Sequence, residues 1–278
     1  APVNRAAVGR ALIVWLIGSR LAPPAALRLR SASRRSSGPR SDKFCNSSSG
    51  SRGKMPGLGT LEVETMQSVR IVRLATACGV AAALTFGAVL VADHSWGDYH
   101  WARTTASFRL TVVNSTTPDW DDYVSQAIVD WSKTSVLIMD EDPDGSTDNR
   151  DRRQCRGPAG AVRICNLEYG FNGWLGIAGI SIAAGGHIVS GYTKLNDSYF
   201  STPTYNRPEW KQSVACQELG HNIGLDHQDE DFDNQSLESC MDYQDPPWEI
   251  PNDHDWEQLE TIYGHLDSYN SYSGGSAG

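Results

Sequence analysis

A net charge of −9 over 278 residues hides two unlike parts: residues 1–92 carry 13 Lys and Arg against 3 Asp and Glu, and residues 93–278 carry 11 against 30. The acidic part repels phosphate backbones, which argues against nucleic acid as a partner. Residues 1–65 are rich in Arg, Ser, Ala and Pro ("RLRSASRRSSGPR"). They have too little apolar periodicity for a core, and read as a disordered or upstream-translated extension with no function assigned.

Residues 66–92 have the layout of a secretory signal: Arg70 and Arg73, an uncharged run from Leu74 to Ala92, and small residues at the end. Cleaved, it makes the protein secreted. Retained, the 74–92 run is just long enough to anchor the chain in a membrane with the domain outside. Export agrees with the cysteines, because four remain downstream: Cys155, Cys165, Cys216 and Cys240. An even number in an exported domain points to disulfides. Residues 93–268 then form one domain, a monomer by expectation, and residues 269–278 a tail that is flexible by composition.

Along that domain, 107–113 ("SFRLTVV") alternates as a strand does, and 119–134 puts Trp120, Tyr123, Ala127 and Trp131 at helical spacing behind acids in its first turn. Short strands are expected at 135–139 and 161–165. Two more, at 176–183 and 187–195, flank a turn marked by Gly185 and Gly186. Helices follow at 207–224 and 253–266. Strands first and helices later predict an α+β domain with a mixed sheet.

The stretch 140–151 ("DEDPDGSTDNRD") sets Asp140, Asp142, Asp144, Asp148 and Asp151 in the register of a calcium loop. The last position is normally Glu, however, and paired helices do not flank it. A solvated acidic loop is the default reading, and Ca2+ the alternative; the acidic run 226–233 also reads as solvated.

The chemistry concentrates in 214–230, "VACQELGHNIGLDHQDE". On a helix, Ala215, Leu219 and Ile223 form a core stripe, while Gln217 and His221 project together from the opposite face. Glu218 stands one step round, close enough to hold a water without ligating. Gly224 can take the left-handed conformation that reverses the chain, which lets His227 swing back towards the same point. Imidazoles bind zinc without cancelling its charge, and a carboxylate beside the activated water takes its proton.

With Met241 and Tyr243 in the downstream "SCMDY", this segment resembles the metzincin metallopeptidases, most nearly the matrixin-like bacterial members. The resemblance spans about 107–266 and is specific only in 216–243. It implies a twisted mixed sheet with an active-site helix, a Met-turn beneath the metal and a C-terminal helix. It further implies zinc held by Gln217, His221 and His227, Glu218 as general base, Tyr243 assisting the tetrahedral intermediate, and a peptide substrate. The edge strand that aligns the peptide is expected at 187–195, where His187 could approach the metal; His254 and His265 read as structural or surface residues.

Two departures stand out. Gln217 replaces a histidine, and its neutral amide oxygen is a weaker zinc donor than imidazole. No cysteine-switch propeptide lies between the signal and the first strand. Cys155 and Cys165 bracket a short loop and are natural partners. A Cys216–Cys240 bridge would tie the metal helix to the Met-turn. The function expected is a secreted zinc endopeptidase that hydrolyses peptide bonds by metal-activated water. The alternative is a non-catalytic peptide-binding pseudoenzyme on the same fold.

Overall fold

The computed structural model describes residues 13–21 and 93–274; the signal or anchor expected at 66–92 lies outside them. No helix among the described residues is long and apolar enough to cross a membrane.

Eight-residue β3 (Phe108–Ser115) alternates buried and half-buried positions, as its sequence requires. It pairs in parallel with β4 (Leu137–Asp142) on one side and with β5 (Val162–Leu167) on the other. Beyond β5 runs β7 (His187–Asn196), also parallel. β6 (Gly176–Ile182) folds back antiparallel on the outer side of β7, and β1 (Ile13–Ile17) adds antiparallel to β6. A two-residue β2 (His100–Trp101) pairs with the start of β7. The order is β1-β6-β7-β5-β3-β4. This is the α+β domain with a mixed sheet that the sequence predicts.

The edge-strand expectation is corrected. β7 is an interior strand, and β6 is the outer member of the hairpin. The Gly185–Gly186 turn joins two strands of similar apolar content, so pattern alone cannot tell which one faces outward. Residues 13–21, which the sequence reading left without an element, supply β1 and its continuation.

Helix α1 (Pro118–Trp131) starts on a proline with Asp119 and Asp121 in its first turn, where acids meet the positive end of the helix dipole. Its buried face is Trp120, Val124, Ala127, Ile128 and Trp131. It packs on α4 (Pro208–His221) through Trp131, which is fully buried and donates its indole N–H to the Cys216 carbonyl at 2.8 Å. Trp101 does the same to the Asn222 carbonyl at 2.9 Å. Each indole fills core volume and satisfies a backbone acceptor, so truncating one would cost about 3–5 kcal/mol.

Short α2 (Asn149–Gln154) and α3 (Asp197–Phe200) were not expected. α2 is capped by Asp148, which accepts from the Arg150 N–H at 2.7 Å. The calcium-loop carboxylates are thus taken up locally. Asp140 pairs with Arg109 at 3.1 Å, Asp142 accepts from the Asp144 N–H at 3.1 Å, and Asp151 accepts from Ser146 at 2.7 Å. These contacts are made with groups of the loop itself and, for Asp140, with Arg109 of β3.

The last helix, α5 (Asp253–Ile262), opens on a capping box between Asn252 and Asp255. It stops four residues short of the expected 266. The tail beyond, expected to be flexible, is docked as far as Gly274. Tyr272 is buried against Phe108 at 4.8 Å, and the Ser271 and Ser273 amides donate to Ala102 and Gly160 at 2.9 Å each. Both expected disulfides are present, Cys155–Cys165 and Cys216–Cys240.

Candidate active site

Helix α4 is not amphipathic. Ala215, Leu219 and Ile223 are fully buried as expected, but Gln217, Glu218 and His221 are buried too. The sheet covers one flank, where the Thr193 hydroxyl of β7 donates to the Glu218 carbonyl at 3.2 Å. On another flank, Met241 and Trp131 close on Gly220, where a Cβ would stand 2.7 Å from the Met241 sulfur. Met241 lies in a turn braced by the Ser239 hydroxyl, which accepts its amide at 2.9 Å. It is therefore the floor under α4, and the Cys216–Cys240 bridge fastens that floor to the helix.

After His221 the chain reverses through Gly224, whose φ of 103° only glycine adopts freely. The reversal brings the Leu225 carbonyl back onto His221 Nδ1 at 2.8 Å. A carbonyl only accepts, so Nδ1 carries the proton and Nε2 presents a lone pair. On His227, Nδ1 donates to the Glu230 carboxylate at 2.9 Å, leaving Nε2 free to point inward. The two Nε2 atoms lie 3.1 Å apart. Lone pairs facing each other at that distance repel unless a cation or a proton lies between them. Two nitrogens on one tetrahedral zinc stand about 3.3 Å apart for zinc–nitrogen distances near 2.05 Å. Burial holds His227 down to about 3, with Arg20 and His94 adding to the effect. Burial, then His227 itself, holds His221 well below the ordinary histidine value. Neutral imidazoles are the form a metal needs.

Gln217 completes the helical pair. Its amide NH2 donates to the Cys240 carbonyl at 3.0 Å, which fixes the rotamer and turns Oε1 the other way. That oxygen sits against the Ser19 hydroxyl, whose single proton is shared between it and Glu218 Oε1.

Glu218 is fully buried, and burial pushes its carboxyl up to about 8 against the hydrogen bonds from Ser19. Oε1 accepts from the Ser19 amide at 2.8 Å and its hydroxyl at 2.6 Å, while Oε2 has no hydrogen-bond partner among the described residues. A buried unpartnered carboxylate oxygen is costly and marks a place where a proton or a polar ligand belongs. Gly176, at the start of β6, makes room for this side chain. A Cβ there would lie 2.6 Å from Glu218 Cγ and 2.7 Å from Oε1.

The stretch 18–21 lies along this site. The Ser19 carbonyl accepts from the Leu175 amide at 3.0 Å, and Arg20 bridges to Trp174. The Tyr243 hydroxyl donates to the Gly18 carbonyl at 2.9 Å and accepts from the Arg20 amide at 3.2 Å. Its ring packs on His227 with centroids 4.6 Å apart. The space left between Ser19, Arg20, Gln217 and Tyr243 is about 20 Å³, room for about one water. A larger open cleft of about 970 Å³ adjoins it, lined by Phe232, Trp248 and Ile250 with the acids Glu209, Glu238 and Glu249.

The structure therefore brings together Gln217, Glu218, His221, His227, Met241 and Tyr243. It keeps His187 elsewhere, bonded to Asp267 and Tyr269, and sets His254 against His94 at 4.9 Å. Sequence reasoning missed Glu230, placed in a run read as solvated although it stands three residues after His227 and orients that ring. It also missed Ser19, for which the sequence carries no signal.

Among solved structures the chain is similar to high choriolytic enzyme 1, a hatching enzyme zinc-protease from Oryzias latipes (medaka fish). The identity is 10% and the TM-score 0.34, over 59% of this chain and 94% of that one. It is also similar to myroilysin, at 12% identity and a TM-score of 0.36, over 62% of this chain and 99% of that one. No family model matches the chain, and no curated protein matches it by sequence.

Proposed function

We propose that this protein is a secreted zinc-dependent endopeptidase of metzincin type, in which Gln217, His221 and His227 hold the metal and Glu218 is the general base. The observation that carries the reading is the pair of Nε2 atoms 3.1 Å apart, each ring locked through Nδ1 onto an acceptor. Partners of this kind fix tautomer and ring orientation at metal sites. The matrixin-like subtype rests on the 216–243 motif alone.

Zinc held there would polarise the attacking water and the scissile carbonyl. Glu218 would take the water's proton on its unpartnered oxygen and deliver it to the leaving amine. Burial favours its protonated form in the metal-free chain, and the charge of a bound zinc would draw it back to the carboxylate a base requires. β6 offers a peptide its outer edge by strand addition. Tyr243, which here bonds the Gly18 carbonyl and the Arg20 amide, would bond the corresponding groups of a bound peptide.

The stretch 13–21 already lies in that place. The catalytically competent form is the one in which this stretch has left β6 and Glu218, and cleavage of the signal at 66–92 would sever it from residues 93–278. No cysteine lies between the 66–92 segment and β3, but the chain carries a substrate-like strand of its own.

The test is zinc content of the purified full-length chain together with cleavage of an unfolded protein before and after limited proteolysis. One zinc dependent on His221 and His227, with chelator-sensitive cleavage, is the expected result. Zinc binding that survives loss of both histidines, or cleavage indifferent to chelator, would overturn the assignment.

A further inference from the structure

A second cluster of metal-ligating side chains shares no residue with the candidate active site. His100 opens β2, His187 opens β7 opposite it in the sheet register, and His265 and Asp267 follow α5. Asp267 Oδ1 lies 3.0 Å from His187 Nε2 and 3.7 Å from Nε2 of both His100 and His265. Nε2 of His100 and Nε2 of His265 are 3.1 Å apart. The ligand atoms of His100, His187 and Asp267 all lie within 4.8 Å of one another, and His265 joins them through His100 and Asp267. Closing a tetrahedron with edges of about 3.3 Å takes a turn of the exposed His265 ring towards His187.

The surroundings aim these atoms inward. His100 Nδ1 donates to the Asp98 carbonyl at 2.9 Å, so its Nε2 presents a lone pair. His187 Nδ1 meets the Tyr269 hydroxyl at 2.8 Å. The second oxygen of Asp267 accepts the Arg103 amide at 2.9 Å, which leaves Oδ1 to the three imidazoles. A hydrogen-bonded histidine–aspartate network accounts for the His187–Asp267 contact. Nε2 of His100 and Nε2 of His265 stand too far from Oδ1 to bond it, and what holds them together is either one N–H···N bond donated by His265 or a shared cation, which the experiment below separates. Three imidazole nitrogens with one carboxylate oxygen suit zinc and its late transition neighbours rather than the hard cations magnesium and calcium. Four protein ligands leave no open position, the pattern of a structural centre. The His265 side chain is 54% exposed and gives the ion a way in.

We propose that His100, His187, His265 and Asp267 form a structural zinc site that fastens the stretch after α5 to the starts of β2 and β7.

The experiment uses the full-length chain bearing His221→Ala and His227→Ala, stripped with chelator and titrated with zinc, and separately with cobalt(II) as a coloured probe. One equivalent should bind, with the intense visible absorption of four-coordinate cobalt. Adding His265→Ala, at a half-exposed position whose loss opens no core, should weaken binding by about tenfold or more. Asp267→Asn should do the same. In the parent chain, His265→Ala should lower zinc stoichiometry by one while leaving near-ultraviolet circular dichroism unchanged, which keeps the test valid if the double variant folds poorly. Zinc should also raise the parent's Tm more than it raises that of His265→Ala. Unchanged affinity and stoichiometry in His265→Ala and Asp267→Asn, or binding of magnesium and calcium as strongly as zinc, would sink the proposal.

Discussion

The amide and the hydroxyl of Ser19 both donate to the same oxygen of Glu218, at 2.8 and 2.6 Å, so one residue of the chain satisfies half of the candidate base. Hydrogen bonds of this kind contribute about 1 kcal/mol each, and a factor of ten takes about 1.4 kcal/mol. A chain lacking residues 1–65 should therefore cleave peptides at least about tenfold faster than the full chain. A synthetic peptide spanning residues 13–21 should inhibit the shortened chain competitively. Equal rates for the two chains, with no inhibition by the peptide, would show that the stretch does not control access.

Glu218→Gln tests the base itself. The substitution keeps the volume and an acceptor oxygen for Ser19, so the fold and the metal content should persist. Peptide cleavage should fall by roughly 10²–10⁴-fold, the usual contribution of a positioned base. Activity equal to the parent's would remove Glu218 from the mechanism.

Gly176→Ala probes the same carboxylate from the sheet side. The new methyl would stand 2.6 Å from Glu218 Cγ, so the side chain must move. A displacement of about 1 Å in a reacting group can cost on the order of 10²-fold. The expected outcome is a lower kcat with zinc affinity unchanged, because Gln217, His221 and His227 are untouched. A parallel loss of zinc would mean that the methyl disrupts the whole of α4.

The Cys216–Cys240 bridge spans 24 residues and closes a loop that holds the metal-facing end of α4 and is followed directly by Met241. Loop entropy assigns such a link about 3 kcal/mol. Replacing both cysteines by serine should lower unfolding free energy in urea by roughly that amount. A loss below about 1 kcal/mol would mean that packing of Met241 and Trp131 on Gly220 already fixes the floor.

How much of this was legible beforehand follows from the range of each interaction. Spacing within one helix is local, so the Gln217–His221 pair, the position of Glu218 and the return of His227 could be read directly. The disulfides were legible because Cys216 and Cys240 each adjoin a motif residue. Burial on every side of α4 was not, because Thr193, Trp131 and Met241 reach it from distant parts of the chain. The outer strand of the β6–β7 hairpin was misassigned for the same reason: which strand pairs with β5 is a long-range outcome. Glu230 looked like one more solvated acid until Nδ1 of His227 was placed beside it.

Gln217 decides whether the site holds zinc well. Its amide nitrogen is committed to the Cys240 carbonyl and its oxygen is covered by the Ser19 hydroxyl, so that oxygen becomes available only when the 13–21 stretch leaves. In the chain lacking residues 1–65, an imidazole is a better zinc donor than an amide, and Gln217→His should bind zinc more tightly than the parent. Gln217→Ala should bind it more weakly, and His221→Ala should nearly abolish binding at this site. Competition with a chromophoric chelator ranks the four proteins, with His265→Ala present throughout so that only this site is counted. Equal affinity for the parent and Gln217→Ala would mean that the amide is not a ligand. Zinc bound by Gln217→His but not by the parent would mark the natural chain as a peptide-binding pseudoenzyme.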